Sequence, residues 1–319
     1  MTIPFMRPAE WPPVKPGRFA ATIRSITDAG ERAPASGAIA LLGLPDDLGV
    51  RLNGGRPGAA DGPRAFRAAL AAYGTTWDLD GDAPLDAVVV DAGDVEPVPG
   101  DDEAALLATH ARAEAAARAL HDAGYVTAGI GGGHDLALPC IAAYAAHVGR
   151  AVGGVNFDAH LDVRERVGSG MPFRRLIAGG HVDGHAFVEL GLGRFANDRD
   201  DVEWARAQGA TLVSADAVMS SRAELPRLLG HTLAGGAGFV SIDLDGIDGA
   251  FAPGVSAPSP MGLRVAHAAE LADAAGADAR VGHFNLMELC PAQDPDRRTA
   301  RVAALLFLSF TAGWRRRAR

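Results

Sequence analysis

Asn156-Phe157-Asp158-Ala159-His160-Leu161-Asp162 ends an apolar run, residues 151–157, with three ionisable side chains at alternate positions. Side chains alternate across an extended chain, so these three leave on one side, with about 6.6 Å between same-side neighbours. A chain running off a strand end can aim all three into one cavity. Ionisable groups on one side of a buried strand cost free energy unless they are paired or bound to a metal.

Outward from this stretch the same rhythm repeats. Short apolar runs at 38–44, 87–91, 125–130, 186–192, 211–214 and 238–244 read as strands, and 281–286 and 303–310 close the series. Helical spacing of apolar residues falls at 63–73, 101–123 and 136–148. Strands apolar on both faces, alternating with helices, predict a parallel sheet covered by helices. The Gly- and Pro-rich segments at 49–63, 167–172 and 249–262 follow strands, where an open α/β sheet carries its binding loops. Residues 1–36 are Pro-rich and weakly periodic and are expected to form an N-terminal arm over the surface. Residues 37–319 are expected to form a single domain.

Two further stretches carry chemistry. Ser241-Ile242-Asp243-Leu244-Asp245-Gly246-Ile247-Asp248 again sets carboxylates on one side of an apolar strand's end. Gly131-Gly132-Gly133-His134-Asp135 is a glycine turn after a strand, which lets backbone pass close to a ligand and presents His134 at a helix start. Taken singly, each has a bland explanation: an Asp-x-Asp cap, a structural histidine, a tight turn. The glycine run lacks the Gly-Lys-Ser/Thr of a phosphate loop and the spacing of a dinucleotide fingerprint. Taken together they place Asp158, Asp162, Asp243 and Asp245 with His134 and His160 at the ends of buried strands, which demands a shared cation. Carboxylate in excess of imidazole, without thiolate, suits Mn2+ better than structural Zn2+. Six side chains are too many for one ion, whereas two ions sharing bridging carboxylates use them all.

Composition narrows the class. The chain has 319 residues, a net charge of −9 and 22% charged residues, an acidic balance that argues against nucleic-acid or anionic-membrane partners. The basic tail at 315–319 reads as a solvated end. Two distant cysteines, Cys140 and Cys290, form neither a disulfide framework nor a zinc ribbon and fit a reducing compartment. The first residues, broken by Pro4, Pro8 and Glu10, lack a signal-peptide core, and no stretch reaches the ~20 apolar residues of a membrane span. A cytoplasmic location is expected.

The Gly-Gly-x-His, Asp-Ala-His-x-Asp and Ser-x-Asp-x-Asp elements, intact and in this order, resemble those of the arginase, agmatinase and formimidoylglutamase family. The resemblance runs from about Gly43 to Phe310 and implies a three-layer α/β/α domain around a mostly parallel eight-stranded sheet. It implies two Mn2+ per chain: His134, Asp158, Asp162 and Asp243 on one, and Asp158, His160, Asp243 and Asp245 on the other, with Asp158 and Asp243 bridging. Glu288, in Met287-Glu288-Leu289-Cys290-Pro291, matches a late Glu-x-x-Pro element whose glutamate grips the cationic amidine or guanidine. A cation pair lowers the pKa of a shared water and so supplies hydroxide near neutral pH, and Asp162 is placed to carry its proton to the departing amine. Val90-Asp91-Ala92-Gly93-Asp94-Val95 resembles a family strand end read as structural.

Within the family, residues 53–63, 169–174, 194–197 and 252–258 are similar to formimidoylglutamases. Phe173 stands where arginases and agmatinases carry a proton-shuttling histidine. N-formimino-L-glutamate has two carboxylates, for which Asn53, Arg56, Arg174, Arg175 and Arg194 are candidate partners. Asp135 and Asp248-Gly249 depart from common family residues. The alternatives are an agmatinase- or guanidinobutyrase-like enzyme releasing urea, a single-zinc deacetylase of related fold, and a binding subunit with a fossil site. The family implies trimers or hexamers.

Overall fold

The computed structural model describes residues 3–28, 33–34, 37–221 and 224–317. Its centre is a sheet of eight parallel strands: β1 (Ile39–Leu44), β2 (Val89–Val95), β3 (Val126–Gly131), β4 (Val152–Phe157), β5 (Val182–Leu192), β6 (Thr211–Ser214), β7 (Gly238–Asp243) and β8 (Val281–Met287). Their order across the sheet is β2-β1-β3-β8-β7-β4-β5-β6.

Period-two alternation sorts each strand onto two faces. Ile39 and Leu41 face a core built with Phe66, Leu271, Phe307 and Phe310. Ala40, Leu42 and Leu44 face the other side, against Ala113, Ala117 and Cys140. Helices Gly62–Ala72, Val265–Ala277 and Arg298–Trp314 therefore cover one face, and Glu103–Asp122, Ala137–Val148 and Pro172–Ala178 the other. Apart from the edge strand β6 and the start of β5, the sheet is buried on both sides, which is why its strands read as continuous apolar runs.

Residues 303–310 are not a strand. They lie inside helix Arg298–Trp314, with Ala300, Ala303, Ala304, Phe307, Phe310 and Trp314 buried at helical spacing. A short run this apolar hides its period, and the spacing shows only when the flanking residues are included.

The N-terminal segment goes beyond a surface arm. Met6–Arg7 pairs antiparallel and Arg24–Ser25 parallel with β2, so the edge strand is covered. Phe19 is fully buried and meets the Phe307 ring edge-on at 6.4 Å. The basic tail, expected to be solvated, is docked. Arg317 donates to the Val281 carbonyl at 2.8 Å and lies over Trp314, and Arg316 pairs with Asp273. Ala318 and Arg319 lie outside the described residues.

The 90–95 element is structural, as read. Buried Arg67 pairs with Asp91 at 2.8 Å and with Asp94 at 2.6 Å, and Trp11 Nε1 donates to Asp91 at 2.7 Å.

The register aligns the tips that matter. Asp243 stands opposite Met287, Ser241 opposite both Asn156 and Asn285, and Leu286 opposite Ile130. The C-terminal ends of β3, β8, β7 and β4 thus open side by side, where ligands of open α/β sheets bind.

Candidate metal centre

Each residue of the six-member set arrives from one of three strand ends. The turn after β3 brings His134, the chain leaving β4 brings Asp158, His160 and Asp162, and the end of β7 brings Asp243 and Asp245. Two glycines let these backbones close up. A Cβ on Gly132 would overlap the carbonyl oxygens of Asp46 and Leu44, and one on Gly246 would come within 2.9 Å of the Asp158 Cα. Asp162 and Glu288 both adopt positive φ, 48° and 65°, a strained backbone for such residues that tends to gather at functional sites.

The side chains form two groups joined at Asp158. His134 Nδ1 lies 3.2 Å from Asp158 Oδ2, 2.9 Å from Asp162 Oδ2 and 3.0 Å from Asp243 Oδ2. His160 Nδ1 lies 3.4 Å from Asp158 Oδ1 and 3.3 Å from Asp245 Oδ2. Asp158 therefore turns one oxygen to each imidazole. Within each group the ligand atoms lie within 4.8 Å of one another. Asp243 stands in the first group; its Oδ1 accepts the Asp245 N–H at 2.7 Å.

Buried groups with orphaned atoms point the same way. His134 Nδ1 makes no hydrogen bond although three carboxylate oxygens surround it, and Asp245 Oδ1 and Glu288 Oε2 also lack partners. Burial first, then the charges of Asp245 and Asp158, pushes the Asp243 carboxyl well above its usual range, and burial followed by Asp243 does the same to Glu288. Asp245 is pushed up to about 7 by burial, with His160 opposing. Burial opposes a charge on His134, yet Asp158, Asp162 and Asp243 overcome it and raise its pKa. His160 is raised chiefly by Asp245. Without a cation, protons are all that can offset the repulsion. A pair of dications would take their place, and this donor set of carboxylates and imidazoles fits Mn2+.

A second layer fixes these donors. His134 Nε2 meets Ser241 Oγ at 2.8 Å, and the buried Phe173 ring packs edge-on to His134 at 5.5 Å. Phe173 continues into an aromatic stack with Phe187 and Phe239, so no titratable group replaces a shuttling histidine there. Asn156 donates to Asp158 at 3.3 Å and to Glu189 at 2.9 Å. Glu189, which sequence reasoning missed, is fully buried, and burial followed by Asp158 holds its carboxyl well above the usual range. A glutamate inside the apolar run at 186–192 was the available signal. Glu288 accepts the His134 N–H on Oε1 at 2.9 Å, which leaves Oε2 for a ligand.

The candidate substrate residues divide. Arg56 is spent on Ser256, Val255 and Gln293, tying the loop after β1 to residues 255–256 and 293. Arg174 is held by the Val163 carbonyl, Glu165 and Asp201 and lies over Trp204. Asn53 bonds Ser169 at 3.3 Å and Arg164 at 3.1 Å. Arg164, two residues beyond Asp162 and absent from the sequence candidates, is exposed, as are Arg175 and Arg194. Asn197 fastens the following loop to Leu161 and Ala159.

Comparison with known proteins agrees with this arrangement. A family model described as the arginase family matches residues 37–313. The chain is 38% identical over 288 residues to the formimidoylglutamase of Aromatoleum aromaticum, covering 84% of this chain and 81% of that one. It is 38% identical to the formimidoylglutamase of Aeromonas hydrophila, with 87% of each covered. Its structure is similar to that of a Trypanosoma cruzi formiminoglutamase solved with Mn2+, at a TM-score of 0.81 and 31% identity, covering 88% of this chain and 95% of that chain. The chain belongs to the arginase family.

Proposed function

We propose that this chain is a binuclear manganese hydrolase that cleaves N-formimino-L-glutamate to L-glutamate and formamide. The observation that carries the metal reading is Asp158 dividing its two oxygens between the His134 and His160 groups. The relatives' names support the substrate and do not favour the guanidine-hydrolase alternative.

In this reading His134, Asp158, Asp162 and Asp243 hold one ion, and Asp158, His160 and Asp245 the other. Bound manganese supplies Lewis acidity and a water of lowered pKa. Glu288 orients the substrate, its free Oε2 accepting from the cationic amidine nitrogen. Asp162 takes the proton of the attacking water and delivers it to the departing amine. Its Oδ2 lies 2.9 Å from His134 Nδ1, beside the first metal position. Arg164, Arg175 and Arg194, with Asn53, are the partners we assign to the substrate carboxylates, because these arginines are exposed and make one side-chain contact each, whereas Arg56 and Arg174 are each held by several groups.

Residues 37–319 are assigned as the catalytic domain, completed by N-terminal residues that pair with its edge strand and bury Phe19 in its core. Assembly as trimer or hexamer and a cytoplasmic location complete the proposal; the first rests on family resemblance, the second on two buried free thiols. Among the described residues no helix is long and apolar enough to cross a membrane. The test is product identification with manganese-loaded protein. Formamide from N-formimino-L-glutamate is expected, and urea from guanidines with no formamide would overturn the substrate.

A further inference from the structure

Behind His134 a file of buried polar side chains crosses the sheet. Ser241 Oγ donates to Asn285 Oδ1 at 2.7 Å, and Asn285 Nδ2 meets His283 Nε2 at 3.2 Å. His283 Nδ1 meets Thr127 Oγ1 at 2.7 Å, and Thr127 Oγ1 meets His121 Nε2 at 3.3 Å. Thr127, Ser241, His283 and Asn285 are fully buried, and His121 is 2% exposed. Nothing in a hydrophobic core requires five polar side chains in series, and each must be satisfied.

With His134 Nδ1 kept free for a metal, the donors run in one sense. Ser241 gives its single proton to Asn285, so it must accept from His134 Nε2–H. The Asn285 amide donates to His283 Nε2, leaving the His283 proton on Nδ1, where Thr127 accepts it. Thr127 then donates to His121 Nε2. Running the file backwards would put the His134 proton on Nδ1, where a metal must bind.

We infer that Asn285, His283, Thr127 and His121 are positioning residues that hold His134 protonated on Nε2, with its Nδ1 lone pair turned to the first metal site. The inference rests on His134 being a metal ligand. Low pKa values of about 3 for His121 and His283, each set mainly by burial, agree with two neutral rings. The device is longer than the single partner that usually orients a ligating histidine.

Two measurements test it. Neutron diffraction from manganese-loaded crystals should place the proton of His283 and of His121 on Nδ1 and that of His134 on Nε2; a proton on His283 Nε2 overturns the relay. Anomalous diffraction from crystals at graded manganese reads each site separately. Asn285→Leu should weaken the first site about tenfold, and Thr127→Val should weaken it in the same direction. The second site should hold, and so should both sites in Thr311→Val, which loses a buried hydroxyl elsewhere. Variants that behave like Thr311→Val, or that weaken both sites equally, overturn the relay. His134→Ala separates the premises: if it leaves the first site filled, the ligand assignment fails, whereas its loss beside unaffected relay variants condemns the relay alone. Should a variant not fold, the neutron map decides.

Discussion

Replacing Glu288 with glutamine isolates one charge. The amide keeps the acceptor that Glu288 Oε1 offers the His134 N–H at 2.9 Å. The positive φ of 65° is set by the surrounding turn, where the Glu288 N–H donates to the Gly132 carbonyl at 2.8 Å. Fold and metal centre should therefore survive. The negative charge facing the cationic amidine is lost, and Glu288 is 4% exposed, so water screens little. Removing one partner of a buried, hydrogen-bonded charge pair costs about 2–5 kcal/mol, which corresponds to a drop in kcat/KM of roughly 30- to 5,000-fold. Formamide release from N-formimino-L-glutamate gives the kinetics, and metal analysis of the same sample gives the manganese content. A kcat/KM within threefold of wild type at full manganese would remove Glu288 from substrate recognition.

Other expectations follow from the packing. His121 and His283 are held neutral with pKa values near 3, whereas an unfolded histidine titrates near 6.5. The unfolded chain binds more protons between these values, so this stability is complete above pH 6.5 and declines as pH falls towards 3. At pH 5 the loss is about 2 kcal/mol per ring, and urea unfolding at pH 7 and pH 5 showing equal stability would contradict it. Arg67→Met strands the carboxylates of Asp91 and Asp94 and should cost about 3–5 kcal/mol, with manganese stoichiometry unchanged in the folded fraction; denaturant midpoints check this. Gly132→Ala pushes a methyl into two backbone carbonyls and should destabilise by more than about 3 kcal/mol; a wild-type melting temperature would disprove the close approach. Arg174→Ala should lower stability through its lost contacts with Trp204 and Asp201 while leaving KM within about threefold; a large rise in KM would return Arg174 to the pocket.

The clustering of the six side chains was legible because alternation along an extended chain is a local rule. Asp158, His160 and Asp162 announce their common side from spacing alone, and the Asp243–Asp245 pair repeats it. The parallel sheet covered by helices followed from runs apolar on both sides; the strand order did not, because it is set by pairing between distant segments. What failed was long-range or ambiguous in period. Residues 303–310 pack all but a narrow stripe against sheet and helix, so their helical period was hidden in the short window. Arg56 and Arg174 look like free cations in sequence, and only the fold reveals Ser256, Gln293, Asp201 and Trp204 as their partners. Glu189 carries a signal in its apolar strand, but its neighbour across the sheet, Asn156, is 33 residues away. The file from Ser241 to His121 joins four segments of chain and could not be seen before they were paired.

The central claim is that three strand ends deliver six acidic and imidazole side chains to one cavity shared by two dications. Anomalous diffraction at the manganese edge from loaded crystals measures this directly. The account predicts two peaks about 3.5–4 Å apart, one against His134 Nδ1, the other against His160 Nδ1, with Asp158 between them. A single peak, or peaks away from both rings, would contradict it.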